Sequence, residues 1–306
     1  MRTILVLAVL LVFAPAALAG AVRAVTVPAP VLAVAFDGSR VAVASGRSAT
    51  DCNRVHVWNL ATRGVSKLGR KTHCEQTSTG NAIAAISIAG TRVLWLHYVG
   101  GNSRDWSLWT ATTAKPAPIR LRLVTREVDA PAPIVLGRSG GERPGDLLLY
   151  AVERTVIALR PNGARRFSWT APARVVALAA LEDRLAVAVE GGAVVVLDGN
   201  GRALRTEMFA RTVDAVRLTR TGLVAQLGRS LELRQGGSVR TFSFPAGVRL
   251  ADATSERAIL ISGDKVLRFE LEAGRGRVIA SGTSAALAGE RLAVGSGRRV
   301  TLRSHP

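Results

Sequence analysis

Side chains that could carry out chemistry are sparse in this 306-residue chain. None of its four histidines stands in a metal-ligand spacing such as His-x-x-x-His, and a lone histidine is usually structural. The adjacent carboxylates Glu182 and Asp183 are residue types that tight turns require, which explains them without catalysis. The sequence therefore predicts no catalytic residue, no metal and no cofactor, and it favours binding over catalysis.

The densest mixture of aromatic and polar side chains lies between residues 73 and 106. Loops that carry such groups on a rigid scaffold are where proteins usually place binding sites. We predict a binding site formed by His73, His97, Tyr98, Asn102, Arg104, Asp105 and Trp106.

The elements that must position these groups are short β-strands. Residues 174–209 contain four apolar runs, at 175–181, 185–189, 194–197 and 204–209. The breaks between the runs hold the acidic and glycine residues that tight hairpins require. Four antiparallel strands in about forty residues correspond to one blade of a β-propeller.

The same unit recurs along the chain at steps of 34 to 54 residues. The turn that enters its second strand is found seven times and ends at Arg40, Arg92, Asp146, Arg184, Gly222, Arg257 and Arg291. Repeats of this size with four strands each are typical of propellers. We predict an all-β, seven-bladed β-propeller with four antiparallel strands per blade, formed by residues 20–306 as a single domain.

The two ends of the repeat array complement each other. The seventh copy contains three strands, whereas residues 22–27 form a lone strand-like segment before the first copy. Because a closed ring leaves no exposed edge between its ends, the N-terminal strand is predicted to complete the last blade.

The early copies carry additional residues at 45–53, 70–81, 98–104 and 125–133. Strand alternation places these insertions on one face, as loops that include the predicted binding site. The alternative is that the loops are neutral, because long loops are tolerated at a small entropic cost.

A second candidate site lies in the predicted central channel. Counting back five residues from the turn positions gives equivalent inner positions at Ala35, Ser87, Ala179, Arg217, Asp252 and Ala286. The opposite charges of Arg217 and Asp252 indicate either an ion pair that holds blades 5 and 6 together or a polar site in the channel.

Several third strands resemble those of known propeller families. Residues 55–64 (VHVWNLATRG) resemble the third-strand signature of WD-repeat propellers, with Asn59 where that family usually has aspartate. Residues 156–163 (VIALRPNG) and 195–201 (VVLDGNG) are similar instead to quinoprotein-like propeller repeats. The Gly-His pair of WD repeats and the regular tryptophan of quinoprotein repeats are absent, so the resemblance implies the fold superfamily alone.

Residues 1–19 have the features of a secretory signal peptide. Arg2 precedes an apolar stretch at 4–13, and Ala17-Leu18-Ala19 forms a small-x-small cleavage site. The alternative is an uncleaved membrane anchor, for which the apolar stretch is short. We therefore expect a secreted or extracytoplasmic protein that is associated with the cell envelope.

The net charge of +19 is carried mainly by scattered arginines. It indicates either a partner with negative charge, such as an anionic cell-envelope polymer, or biased residue usage. The arginines form no dense run with interleaved aromatic residues, so specific nucleic-acid recognition is not predicted.

We interpret the chain as a non-catalytic, monomeric ligand-binding or protein-interaction module, whose partner is a protein or an anionic cell-envelope polymer. The alternative is an envelope enzyme on the same scaffold, either a quinone-dependent dehydrogenase or a polysaccharide-active lyase. A quinone enzyme requires a calcium-binding carboxylate cluster and a tryptophan floor in the channel, and neither is evident in the sequence.

Cys52 and Cys74 are the two cysteines of the chain, and export would place them in an oxidising compartment. The links that contain them leave blade 1 on the same face, so we predict a disulfide that stabilises the fold by about 3 kcal/mol.

Thiol titration of the unfolded, unreduced protein should detect no free thiol. Two titratable thiols per chain would contradict the pairing.

Overall fold

The computed structural model describes residues 23–46, 54–68, 80–100, 103–127, 133–137 and 143–304. Within these ranges every regular element is a β-strand, and the strands form seven antiparallel sheets of four strands each. The prediction of an all-β, seven-bladed propeller is confirmed.

The strands follow one another in blade order after a first strand that stands apart. That strand is β1 (Arg23–Thr26). Blade 1 contains β2 (Val31–Phe36), β3 (Arg40–Ser45), β4 (Arg54–Asn59) and β5 (Val65–Leu68). Blade 2 contains β6 (Asn81–Ala89), β7 (Arg92–Gly100), β8 (Ser103–Thr112) and β9 (Ile119–Glu127). Blade 3 contains β10 (Ile134–Gly137), β11 (Leu147–Val152), β12 (Thr155–Leu159) and β13 (Arg165–Thr170).

The later blades are more compact. Blade 4 contains β14 (Val175–Leu181), β15 (Arg184–Val189), β16 (Ala193–Asp198) and β17 (Ala203–Met208). Blade 5 contains β18 (Ala215–Leu218), β19 (Gly222–Leu227), β20 (Ser230–Gln235) and β21 (Ser238–Ser243). Blade 6 contains β22 (Val248–Ala253), β23 (Arg257–Ser262), β24 (Lys265–Glu270) and β25 (Arg275–Ser281). Blade 7 contains β26 (Ser284–Ala288), β27 (Arg291–Ser296), β28 (Arg299–Ser304) and, as its outer strand, β1.

The core is divided into clusters that each lie between two neighbouring blades. In β15, Leu185 and Val187 pack toward blade 3, whereas Ala186 and Ala188 pack toward blade 5. Successive side chains of a strand point to opposite faces, so a strand buried on both faces must be apolar throughout. Equivalent clusters fill all seven junctions, including the one between blades 7 and 1.

A repeated arginine links neighbouring blades where first strands turn into second strands. Arg257, which begins β23, donates two hydrogen bonds to the carboxylate of Glu290 in blade 7, at 2.8 and 3.0 Å. Arg291 donates a hydrogen bond to the backbone carbonyl of Gly38 in blade 1, and Arg184 donates one to the backbone carbonyl of Thr219 in blade 5. Three of the arginines that mark the sequence repeat therefore bind their blade to the next one.

Blade 5 has Gly222 where most copies have this arginine. The strands β19 and β20 approach so closely here that a Cβ on Gly222 would lie 1.8 Å from the carbonyl oxygen of Arg234. Glycine is therefore required by the close approach of two backbones, and the departure from the repeat has a steric cause.

The N-terminal strand closes the ring as predicted. β1 pairs antiparallel with β28, with Val25 opposite Val300. Val27, which follows β1, is 2% exposed and packs in the cluster between blades 7 and 1.

Blade 2 differs from the prediction of a loop at residues 98–104, which is wrong. β7 and β8 remain paired as far as Gly100 and Arg104, so these residues lengthen a hairpin. Aromatic and β-branched residues favour strand pairing, and Tyr98 lies directly opposite Trp106. β9 likewise continues to Glu127, inside the range predicted as a link.

Several predictions fall on other parts of the chain. The signal segment at 1–19, Cys52 and Cys74 lie outside the described residues, as do most of the insertions at 45–53 and 70–81. Val55 pairs with Leu68, so the chain enters β4 and leaves β5 at the same end of blade 1. The disulfide remains a prediction.

Deleting residues 21–27 should leave β28 as an unpaired edge and uncover the cluster that contains Val300. Loss of one buried valine and its neighbours should lower the melting temperature by about 5–10 °C. Thermal unfolding followed by circular dichroism measures this change, with a chain that begins at residue 20 as the control. Equal melting temperatures would contradict the closure of the ring by β1.

Candidate functional site

The first strands of the blades bring the predicted inner positions to the wall of a central channel. Each of these residues pairs with the residue seven positions further on, for example Ala179 with Ala186 and Asp252 with Ile259. The constant offset confirms that the positions are equivalent. The six predicted residues line one cavity, namely Ala35, Ser87, Ala179, Arg217, Asp252 and Ala286.

Arg217 spans the junction between blades 5 and 6. Its Nε lies 3.4 Å from Oδ1 of Asp252. The guanidinium also donates hydrogen bonds to the carbonyl of Val216, at 2.8 Å, and to the carbonyl of Ala251. Arg217 therefore binds both the carboxylate and the backbone of the next blade.

Asp252 continues the same connection into blade 7. Its Oδ2 accepts a hydrogen bond from the N–H of Leu287 at 2.8 Å, and its Oδ1 accepts one from the N–H of Ala253 at 2.9 Å. Burial raises the pKa of the Asp252 carboxyl above its ordinary value, and the Arg217 charge and the two N–H groups oppose the increase. The carboxylate is thus held by blades 5, 6 and 7 together.

Ser87 makes the corresponding contact between blades 2 and 3. Its Oγ accepts a hydrogen bond from the N–H of Leu136 at 3.1 Å. Where an inner position is polar, its side chain therefore joins its first strand to that of the next blade. This geometry favours the interpretation of Arg217 and Asp252 as a pair that holds blades together.

The channel itself has the size of a small-ligand site. Its cavity volume is about 630 Å³, and first strands of all seven blades line it. Ile86, Leu136 and Leu181 contribute apolar wall. The charged residues of the lining are Arg217, Arg220, Asp37, Asp252, Glu256 and Glu290. The contacts described above use three of the five N–H donors of the guanidinium. The remaining donors could bind an acceptor group of a ligand in this cavity.

Replacing Arg217 by methionine should leave the Asp252 carboxylate without a counter-charge and lower the free energy of unfolding by about 1–3 kcal/mol at neutral pH. The loss should shrink in acid, because a protonated Asp252 needs no counter-charge. Denaturant unfolding of wild type and variant at acid and neutral pH measures the difference. An equal loss at both pH values would contradict the pairing.

Asp252→Asn is the matched variant for the pH dependence. The pKa of Asp252 is raised in the folded state, so the folded protein binds a proton more readily than the unfolded chain. The stability of the wild type relative to the variant should therefore be greatest in acid. It should fall as the pH rises from about 3.9, the unfolded value, through the higher folded pKa. A difference that is independent of pH would contradict this assignment.

The predicted binding cluster in blade 2 is built on the lengthened hairpin. Tyr98 and Trp106 have ring centroids 5.3 Å apart at an interplanar angle of 50°. The guanidinium carbon of Arg104 lies 4.3 Å from the centroid of Tyr98 and 5.8 Å from that of Trp106, a cation–π arrangement. Trp106 is 2% exposed and packs between blades 2 and 3, so it supports the half-buried Tyr98 and Arg104 from below.

The other described members of this cluster lie on the opposite face of blade 2, because side chains alternate along β7 and β8. His97 is buried there, with Nε2 2.5 Å from Oδ1 of the buried Asn81. Asp105 is exposed. The structure therefore brings together Tyr98, Arg104 and Trp106 and separates them from His97 and Asp105. His73 and Asn102 lie outside the described residues.

Sequence reasoning missed two features of potential interest. The first is Asn81, whose partnership with His97 depends on strand register. The second is the segment 137–141 (GRSGG), which matches the Gly-x-Ser-x-Gly pattern of hydrolase elbows, a match that a simple search would have found. An elbow requires a turn from a strand into a helix. Here β10 and β11, on either side of the segment, pair as an antiparallel hairpin, and residues 138–142 lie outside the described residues.

The described part of the chain contains no group of three or more histidine, cysteine, aspartate or glutamate side chains placed to hold a metal ion. No helix in these ranges has the length and apolarity needed to cross a membrane.

Comparison with known proteins identifies the fold class. No family model matches the sequence, and no curated protein does. A chain of the crystal structure of the mitotic checkpoint complex superposes with a TM-score of 0.61 at 15% identity, covering 98% of this chain and 100% of that one. The WD40 domain of Neurospora crassa Pan2 gives 0.59 at 12% identity, covering 92% and 94%.

A third solved structure, Raptor from Chaetomium thermophilum, gives a TM-score of 0.62 at 14% identity and covers 92% of this chain and 28% of that one. Identities this low show the fold alone. The chain has a WD-repeat-like β-propeller fold, as the third-strand resemblance implies.

Proposed function

We propose that the chain is an exported, non-catalytic binding module of the cell envelope, which acts as a monomer and binds a protein partner through blade 2. The observation that carries the proposal is the lengthened hairpin of this blade with its stacked Arg104, Tyr98 and Trp106. Export is supported by the N-terminal residues 1–19, which have the features of a signal peptide.

The hairpin makes blade 2 project from one face of the ring. β7 has 9 residues and β8 has 10, whereas β3 and β4 in blade 1 have 6 each. At about 3.3 Å per residue, three additional residues extend the blade by about 10 Å. Among the strands that the structure describes, those of blade 2 therefore extend furthest on this face.

The surface at this projection is prepared for binding. Tyr98 and Arg104 are residue types that dominate the binding energy of protein interfaces. Their stacking on the buried Trp106 restricts their side chains before a partner arrives, so little conformational entropy is lost on binding. Arg104 would offer the donors of its guanidinium to an acidic or carbonyl-rich surface.

The alternative function, an envelope enzyme with its site in the channel, would use Asp252 as the titrating group. Its raised pKa suits proton transfer. However, both carboxylate oxygens already accept backbone hydrogen bonds, and Arg217 binds Oδ1 as well. Because the hydrogen-bonding capacity of the Asp252 carboxylate is already used, its role is to hold the blades together. We therefore favour the binding module over the enzyme.

Arg104→Ala tests the proposal without disturbing the core, because Trp106 is left in place. The parent chain should retain a partner from envelope extracts at physiological salt, and the variant should bind this partner about ten- to thirtyfold more weakly, as expected for an interface arginine. Isothermal titration with the purified partner measures the change.

Arg229→Ala is the matched control, since it removes an exposed arginine from a second-to-third-strand turn of blade 5 on the same face. It should leave the affinity unchanged, and both variants should retain the parent melting temperature. If Arg104→Ala binds as tightly as the parent, the site lies elsewhere and the channel is the next candidate.

A further inference from the structure

The outer strands of all seven blades carry basic side chains. Every outer strand has at least one exposed arginine or lysine. The basic residues with described side chains are Arg23 in β1, Lys67 in β5, Arg120 and Arg122 in β9, Arg165 and Arg166 in β13, Arg205 in β17, Arg240 in β21, and Arg275 and Arg277 in β25. We call this set the outer belt.

Acidic residues are nearly absent from the same strands. Among the outer-strand side chains that the structure describes, Glu207 is the single acid, and it lies 3.3 Å from Arg205 and 3.4 Å from Arg234. The third strands, by contrast, mix both signs, as in the pair of Arg234 and Glu232 at 2.6 Å. On the described outer strands, therefore, few acidic side chains balance the basic ones.

The outer strands also carry the large apolar side chains that the structure leaves exposed. In four blades such a side chain is the immediate neighbour of a belt arginine. The exposed apolar residues are Val65, Ile119, Leu204, Met208, Val239 and Val278. An edge strand also presents unpaired backbone N–H groups, which can donate to anionic oxygens.

Protection against edge-to-edge aggregation does not account for this arrangement. Proteins protect an edge strand with charged side chains, and especially with lysine. Nine of the ten belt residues are arginine, although the third strands show that lysine and acids are available to this fold. The choice of one sign around the circumference selects the sign of a partner.

We propose that the outer belt binds a linear anionic polymer of the cell envelope whose repeating unit joins a phosphate or carboxylate group to an apolar or sugar face. A polymer can engage one blade after another, so that weak contacts at successive outer strands add to a useful affinity. A single peptide strand would pair with one edge and would require no repetition of charge. The inference rests on the proposed binding role and adds a second surface and ligand class to it.

Long-chain polyphosphate with a fluorescent label is the probe, titrated with the full chain between about 50 and 300 mM salt. The belt variant is Arg120→Gln, Arg165→Gln and Arg277→Gln, on blades 2, 3 and 6. The control variant is Arg143→Gln, Arg220→Gln and Arg229→Gln, which removes the same charge from exposed turns on the two faces.

The parent should bind, and the belt variant should lose about ten- to a hundredfold in affinity at physiological salt. Its slope of log K against log salt should fall by about 2, because each of three lost contacts contributes about 0.7. The control variant should stay within about threefold of the parent. Equal losses in the two variants would show that binding follows net charge and would overturn the belt. No binding of polyphosphate by the parent would also overturn it.

Two comparison ligands separate the possible sources of the charge. Polygalacturonate tests carboxylate against phosphate, and its competition with polyphosphate for the belt would support the proposal by showing that both anionic groups bind there. Duplex DNA should bind more weakly, since its persistence length of about 50 nm keeps it from following a small ring. If duplex DNA bound more tightly than polyphosphate and the belt variant lost this binding, the ligand would be a nucleic acid and not an envelope polymer. None of these outcomes alters the Arg104→Ala experiment, which tests the binding role on a different surface.

Discussion

The structure depends on closure of the ring between the two ends of the chain. Each blade buries apolar side chains on both faces, so each needs a neighbour on both sides. The pairing of β1 with β28 supplies the last strand of blade 7, and Val27 fills the cluster that joins this blade to blade 1. Without that junction two apolar faces would be open to water, at a cost that grows with the area exposed. The other contacts between blades are hydrogen bonds and ion pairs, which add directional interactions to this apolar packing.

Arginine illustrates how position determines the role of one residue type. At the start of second strands it binds the turn of the next blade, as Arg257 does with Glu290. On a first strand Arg217 binds a carboxylate and backbone carbonyls at the wall of the channel. On outer strands, side chains such as Arg277 are exposed. Both interpretations of the net charge therefore apply, since some arginines hold the blades together and others are exposed at the surface.

The sequence predicted the number of blades, the strands per blade and the closure of the ring, because these depend on local period and turn chemistry. In blade 4 the predicted run at 185–189 became Arg184–Val189, a difference of one residue. The lengthened hairpin of blade 2 was not predicted. Glycine-containing polar segments suit both a loop and a paired extension, and the choice depends on which residues lie opposite, here Tyr98 and Trp106. The sequence also does not show which residues of β7 and β8 share a face. One binding cluster was therefore predicted, whereas the structure divides its members between the two faces of blade 2.

The satisfaction of hydrogen bonds distinguishes the channel from the periphery. Inner positions have restricted access to water, so their polar groups must bind protein partners, and Asp252 has backbone N–H groups and Arg217 for this purpose. Outer strands face water, where an exposed arginine needs no partner and costs little to keep. A ligand that binds Asp252 in the channel must compete with contacts on which the ring relies, whereas a ligand at an exposed outer arginine displaces mainly solvent. Exposed side chains of the outer strands can therefore change with little effect on stability, whereas the polar groups of the channel wall cannot, so the periphery tolerates substitution more readily than the channel.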